Sequence, residues 1–149
     1  MTVLAAIGER EGAGEVVRTA YELAEAFGET LYVLHVFPKD SFETHREIMQ
    51  NYTAREGLSI EHDADSAREF AELVTKDALG TYDEAMVEPL GRVGDPVRQV
   101  ETAIKEHQPT YLVLGGRRQS PVGKAVFGNK TQQLLLRAEI PVVTVMDEE

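Results

Sequence analysis

Residues 2–37 read TVLAAIGEREGAGEVVRTAYELAEAFGETLYVLHVF, and this stretch decides the fold. Its first part, Thr2–Ile7, is a short apolar run closed by Gly8. An unbroken apolar run is the pattern of a strand buried on both faces. In the middle, Ala13, Val16, Val17, Ala20, Leu23, Ala24 and Phe27 recur at three- and four-residue spacing. That spacing makes one apolar stripe on a helix, and Gly28 stands where a left-handed C-terminal cap is expected. Leu31–Phe37 is a second buried strand, closed by Pro38. Strand, helix and strand joined by short connections form a βαβ unit, whose right-handed crossover sets the two strands parallel and adjacent.

The alternation continues downstream. Residues 39–62 are polar, with Phe42, Ile48, Met49 and Tyr52 at partly helical spacing, and read as a loop with a short helix. Ala64–Leu79 reads as a helix with Ala67, Phe70, Ala71, Val74 and Ala78 on one face. Asp63 or Asp65 is its expected cap and Gly80 its stop. A strand around Ala85–Pro89 leads into Gly91-Arg92-Val93-Gly94. Asp95-Pro96 then reads as an N-cap followed by proline at the first helical position, with Val97, Val100, Ala103 and Ile104 as the stripe. Pro109 breaks that helix. Tyr111–Leu114 is a fourth strand ended by Gly115-Gly116, and a basic loop with Pro121 and Gly123 runs to Phe127. Asn129–Ala138 reads as a helix with Leu134, Leu135 and Leu136 turned inward, and Pro141 opens a last strand, VVTVM. The expected architecture is α/β: a five-stranded, mainly parallel open sheet with helices on both faces, Rossmann-like, in a single domain over 1–149.

The bulk properties fit such a domain. A chain of 149 residues can bury about 68–70% of its unfolded surface. The absence of cysteine excludes disulfide scaffolds, zinc–thiolate sites, iron–sulfur clusters and cysteine nucleophiles. No apolar run approaches the ~18 residues of a membrane helix, and the start, MTVLAAIGERE, has no basic segment or signal-peptide core. A soluble, cytoplasmic protein with no membrane partner is expected. With 26 acidic and 15 basic residues the formal net charge is −11, which argues against nucleic acid as a partner, since phosphate-backbone affinity comes from Lys and Arg. Only five of the cations are lysines. An acidic, lysine-poor surface suits a halophile-like environment, and it also suits many ordinary soluble proteins.

The charge is unevenly distributed. From His107 to Ala138 there is no acid, while Arg117, Arg118, Lys124, Lys130 and Arg137 give this window +5 and leave −16 on the rest. A basic island in an acidic chain is a candidate anion pocket; the alternative is a helix face paired with acids elsewhere. In an open parallel sheet, ligands bind beyond the carboxyl ends of the strands, where strand order reverses. The segments leaving strands one and four are Gly8-Glu9-Arg10 and Gly115-Gly116-Arg117-Arg118, both expected as glycine turns that let backbone approach a ligand. Beyond the second, Gly128-Asn129-Lys130-Thr131 begins a helix, and the free amides of a helix N-terminus favour phosphate. Asn129 and Thr131 can add side-chain hydrogen bonds, and Lys130 with the arginine pair can add charge. No GxxxxGK[ST] occurs, and Gly8, Gly12 and Gly14 lack the GxGxxG spacing.

These features resemble the universal stress protein family. Its signature after the fourth strand is Gly, two residues, Gly, nine residues, Gly, then Ser or Thr. Gly115 matches the first glycine and Gly128 the third, Arg118 stands at the second glycine and Asn129 at the hydroxyl position, and Thr131 matches a further hydroxyl. LYVLHV is similar to the family's second strand, GRVGDPVRQVETAI to its Gly-x-Pro turn and helix, and PVVTV to its last strand. Where members end strand one with an Asp-Gly-Ser type turn, this chain has Gly8-Glu9-Arg10.

The resemblance implies a stress-response regulatory protein that binds ATP or AMP, with Mg²⁺ accompanying ATP. Backbone at Ile7, Gly8 and Val36 would hold the adenosine, and the glycine signature would hold the phosphates. It also implies a homodimer paired through the last strand, Val142 to Met146, an edge that otherwise lies open. Arg118 either blocks close backbone approach or grips a phosphate with its guanidinium.

Catalysis has little support in the residues. His35, His45, His62 and His107 are scattered, with no HExxH or triad spacing, and Ser120 lies in SPVG rather than a GxSxG elbow. No catalytic residue and no metal ligand set is expected, and at most a slow ATP hydrolysis. A phosphoacceptor receiver domain would need an Asp ending strand three and a Lys after strand five, where this chain has MVEPLGR and VMDEE. The competing function is a dimeric interaction protein of the same fold that binds no nucleotide, with Gly115–Gly128 a purely structural loop.

Overall fold

The structure, a computed structural model, describes residues 2–8, 12–38, 60–118, 125–126 and 129–147, with backbone alone at 60–62, 117–118, 125–126 and 147. Among the described residues six strands are present: β1 (Thr2–Ile7), β2 (Thr30–Pro38), β3 (Val87–Gly94), β4 (Tyr111–Arg118), β5 (Ala125–Val126) and β6 (Val142–Asp147). Among the described residues the α-helices are α1 (Ala13–Phe27), α2 (Ile60–Leu79), α3 (Pro96–His107) and α4 (Asn129–Arg137), with a 3₁₀ turn at Glu84–Met86. β3, β2, β1, β4 and β6 form a parallel sheet in that order, and β5 adds a short antiparallel pairing to the end of β4. The chain fills one half of the sheet outward from β1 and then crosses to its other side with β4. Strand order therefore reverses between β1 and β4.

Both faces of the central strands are buried, which is why they read as continuous apolar runs. Val3, Ala5, Ile7, Leu31, Val33 and Val113 face α1 and α2, against Val16, Val17, Ala20, Ala24 and Ala71. Leu4, Leu34, Val36, Leu112 and Leu114 face the other way, onto Val97, Val100 and Ala103 of α3 and Leu134 of α4. Helices thus cover both faces as the sequence implies. Gly28 caps α1 at φ 65°, and the next amide, Glu29 N–H, donates to the Ala24 carbonyl at 2.8 Å.

Several boundaries differ from expectation. α2 begins at Ile60, a turn before Ala64, so Asp63 and Asp65 lie inside the helix instead of capping it. Asp63 is buried there. β3 starts at Val87 and runs through Gly91 to Gly94, because an aspartate-capped 3₁₀ turn (Ala85 N–H to Asp83 Oδ1, 3.1 Å) occupies the expected strand start. Asp95 holds the N-cap position of α3 and Pro96 its first turn, yet the Asp95 side chain makes no capping hydrogen bond. β4 does not stop at the glycines: it continues to Arg118, since β6 pairs with Gly115, Gly116 and Arg117 and β5 with Arg117 and Arg118. Neither Gly115 nor Gly116 has positive φ. Leu134 is buried, whereas Leu136 faces solvent at 79% exposure. Of the loop with a short helix expected at 39–62, residues 60–62 belong to α2, and 39–59 lie outside the described residues, as does the stretch with Pro121 and Gly123.

Candidate functional site

Register fixes what meets at the carboxyl edge of the sheet. Ile7 is paired with His35, which in turn pairs with Gly91, while Val36 pairs with Arg92. On the other side of β1, Ala5 pairs with Val113, and two more residues along both strands bring Ile7 level with Gly115. Four of the expected residues, Ile7, Gly8, Val36 and Gly115, therefore share one edge. The side chains of Ile7 and Val36 are buried on opposite faces of the sheet, so the groups they offer at this edge are main-chain ones. Gly8 is exposed, and a Cβ built on it would meet nothing within 4 Å. Among the described residues nothing fills the space at that Cβ position.

Gly115 has a different reason to be glycine. A Cβ there would lie 3.2 Å from Val16 Cγ2, so its bareness lets α1 seat against β4. Gly115 lies in extended strand in place of the expected turn, and its lack of a side chain eases the packing of α1 there.

α4 reaches the same corner. Thr131 Oγ1 donates to the Gly115 carbonyl at 3.4 Å, a long hydrogen bond that ties the first turn of α4 to β4. Asn129 and Lys130 are exposed in that turn, which contains no acid. The free amides of the turn and the Lys130 ammonium give it a positive character. Arg117 and Arg118 occupy the last positions of β4, opposite Val126 and Ala125 of β5, so Arg118 is a strand residue and not a loop residue. Gly128 lies outside the described residues, as do Glu9 and Arg10. Within the basic island Arg137 meets Glu101 of α3 at 2.9 Å.

Of the histidines, His35 and His107 have described side chains. His35 is buried at 2% exposure between Phe37 and Phe70, and its Nδ1 lies 3.0 Å from the Ile7 carbonyl oxygen. His107 stacks on Tyr32 at the opposite edge. The contact of His35 with Ile7 was not legible in the motifs, although LHVF places an imidazole on the same face as Val33, two residues before the expected strand end at Phe37. Among the described residues no group of three or more His, Asp or Glu is placed to hold a metal ion. Nor is any helix there long and apolar enough to cross a membrane.

A doubly wound α/β sheet with an open glycine at the end of β1, and a cationic helix start tied to β4 across the reversal point, defines a class of protein that takes ligands at its strand ends. Comparison with known proteins narrows the class. The model of the universal stress protein family matches residues 1–146, and the chain belongs to that family. A universal stress protein from Archaeoglobus fulgidus is similar at 24% identity and TM-score 0.64 over 97% of both chains. A universal stress protein from the same organism in complex with dAMP is 20% identical, with TM-score 0.59 over 97% of this chain and 96% of that one. A universal stress protein in complex with cAMP is 17% identical, with TM-score 0.63 over 99% and 98%. At these identities the likeness speaks for the fold. None of the curated proteins matches the chain.

Proposed function

We propose that this chain is a regulatory stress-type protein of the cytoplasm that binds an adenine nucleotide at the carboxyl edge of β1 and β4. Main-chain groups of Ile7, Gly8 and Val36 hold the nucleoside. Gly115, Gly128 and the amides of Asn129, Lys130 and Thr131 receive the phosphates, and Arg117, Arg118 and Lys130 balance their charge. The observation that supports this most is the Thr131–Gly115 tie, which draws a positively polarised helix start to the reversal point of the sheet, beside the open space at Gly8. The dAMP- and cAMP-bound relatives make a nucleoside monophosphate the natural first ligand to try. With ATP, Mg²⁺ would come on the phosphates themselves. Ligand occupancy acts through stability or partner choice, and any ATP hydrolysis is slow.

A second reading, a dimeric interaction protein without nucleotide, draws on Gly8 at the family's aspartate position and Arg118 at its second glycine. Thermal unfolding with AMP, Mg-ATP and pyrophosphate separates the two. Nucleotide binding predicts a rise in midpoint that Gly128→Val abolishes. An unmoved midpoint at saturating nucleotide leaves the interaction reading.

A further inference from the structure

We infer that His35 is a positioning residue for the nucleotide edge: it locks the peptide between Ile7 and Gly8 so that the Gly8 N–H points into the crevice between β1 and β4. The inference rests on the nucleotide reading above and adds a residue to it.

A carbonyl oxygen only accepts, so the 3.0 Å contact between His35 Nδ1 and Ile7 O requires the proton on Nδ1. The ring is held to that orientation. It is buried at 2% exposure, with Phe70 tilted against it at 4.4 Å and Phe37 edge-on at 5.2 Å. His35 belongs to β2, so the bond draws the Ile7 carbonyl toward β2. The peptide that carries this carbonyl also carries the Gly8 N–H. In a planar trans peptide the two point in opposite directions, so holding one aims the other. No cis peptide bond occurs among the described residues. The Gly8 N–H consequently points away from β2, toward the side of β1 where β4, Gly115 and the first turn of α4 lie.

Such a clamp is needed here. The peptide sits at the end of β1, where pairing with β4 has stopped at Ala5 and Ile7 is the last residue paired with β2, and it precedes a glycine with open space around its Cβ position. Glycine accepts either backbone orientation at little steric cost. Without the imidazole only that terminal pairing with β2 resists a turn-over of the peptide, after which the edge presents a carbonyl where a ligand acceptor needs a donor.

Two variants and the wild-type chain test this. His35→Leu removes the donor and keeps an apolar body; His35→Asn keeps an N–H close to the position of Nδ1. Amide NMR follows the Gly8 signal and calorimetry follows AMP affinity. In His35→Leu the Gly8 signal should shift or double and AMP affinity fall about tenfold, the worth of one lost hydrogen bond, with His35→Asn restoring both. A His35→Leu protein with the wild-type Gly8 signal and affinity overturns the inference, and so does a changed Gly8 signal at unchanged affinity. Should the leucine variant fail to fold, the wild-type chain still decides: the Gly8 amide must move downfield on titration with AMP, and a Gly8 amide unmoved at saturation refutes the role. Wild-type protein that takes up no AMP overturns the nucleotide reading and the ligand role of Gly8 with it, even where the Gly8 signal still follows the His35 donor.

Discussion

Gly91 shows how much one hydrogen atom can decide. It faces the backbone of α2, and a Cβ in its place would sit 2.1 Å from the Ala64 carbonyl oxygen and 2.2 Å from the Arg68 nitrogen. Neither is the end of a flexible side chain, so helix and strand would have to separate. Gly91→Ala should destabilise the protein by about 3 kcal/mol, at the upper end of overpacking costs, read as a lowered urea midpoint. An unchanged midpoint would mean that α2 does not lie on this strand as described. Tyr82 carries a smaller prediction. Burial, with help from the Glu84 carboxylate, pushes its phenol above the ordinary value of 10.0. The folded state therefore holds this proton more tightly than the unfolded one. The contribution is complete below the ordinary tyrosine value and is lost as pH rises through the folded value. Tyr82→Phe should lose less stability than wild type between about pH 9 and pH 11, in denaturation curves taken at both. Parallel losses would contradict the burial of that hydroxyl.

At the scale of elements, the central strands and α1 were legible because their signals are local: a continuous apolar run, a 3.6-residue stripe, a glycine at the cap. What escaped depended on distant partners. β4 reads as ending at Gly115-Gly116 because glycine pairs ordinarily break strands, yet β6 and β5 supply ladder partners on through Arg118. The start of α2 escaped because Ile60-Glu61-His62 carries no stop or cap signal, and two aspartates just beyond it imitate one. At the candidate site, Gly8 and Gly115 were readable as glycines at strand ends, whereas Ile7 and Val36 came only from the family resemblance. The clamp of His35 on Ile7 was not readable, since it crosses strands. The join of α4 to β4 is likewise a contact between elements. Thr131→Val keeps the shape and removes the hydroxyl, so α4 should loosen at its first turn while the core stays intact. The expected loss is about 1 kcal/mol, with faster amide exchange at Leu134 and Leu135 and little change in β1. Equal acceleration throughout the sheet would show that the bond supports the whole fold instead.

For the whole molecule, charge and edges matter most. A net charge of −11 on 149 residues repels itself, and salt screens that repulsion. Raising NaCl from about 0.02 M to 0.5 M should lift the melting midpoint by a few degrees, on the order of 1 kcal/mol. A falling midpoint would point to ion pairs such as Arg137–Glu101 outweighing the general repulsion. β6 pairs with β4 alone among the described residues and is half-buried from Val142 to Met146, which suits a strand covered by a second copy. If the chain pairs through this strand as the family resemblance implies, sedimentation should return twice the 16.5 kDa chain mass; a monomer at about 0.1 mM would contradict that pairing. The central claim is that a nucleotide sits where the strand order reverses. Amide shift mapping during titration with AMP tests it most directly. The account predicts that Gly8, Gly115, Lys130 and Thr131 move together and saturate, while Glu29 and Thr110 at the far edge stay still. Saturating AMP that leaves those four unmoved would contradict it.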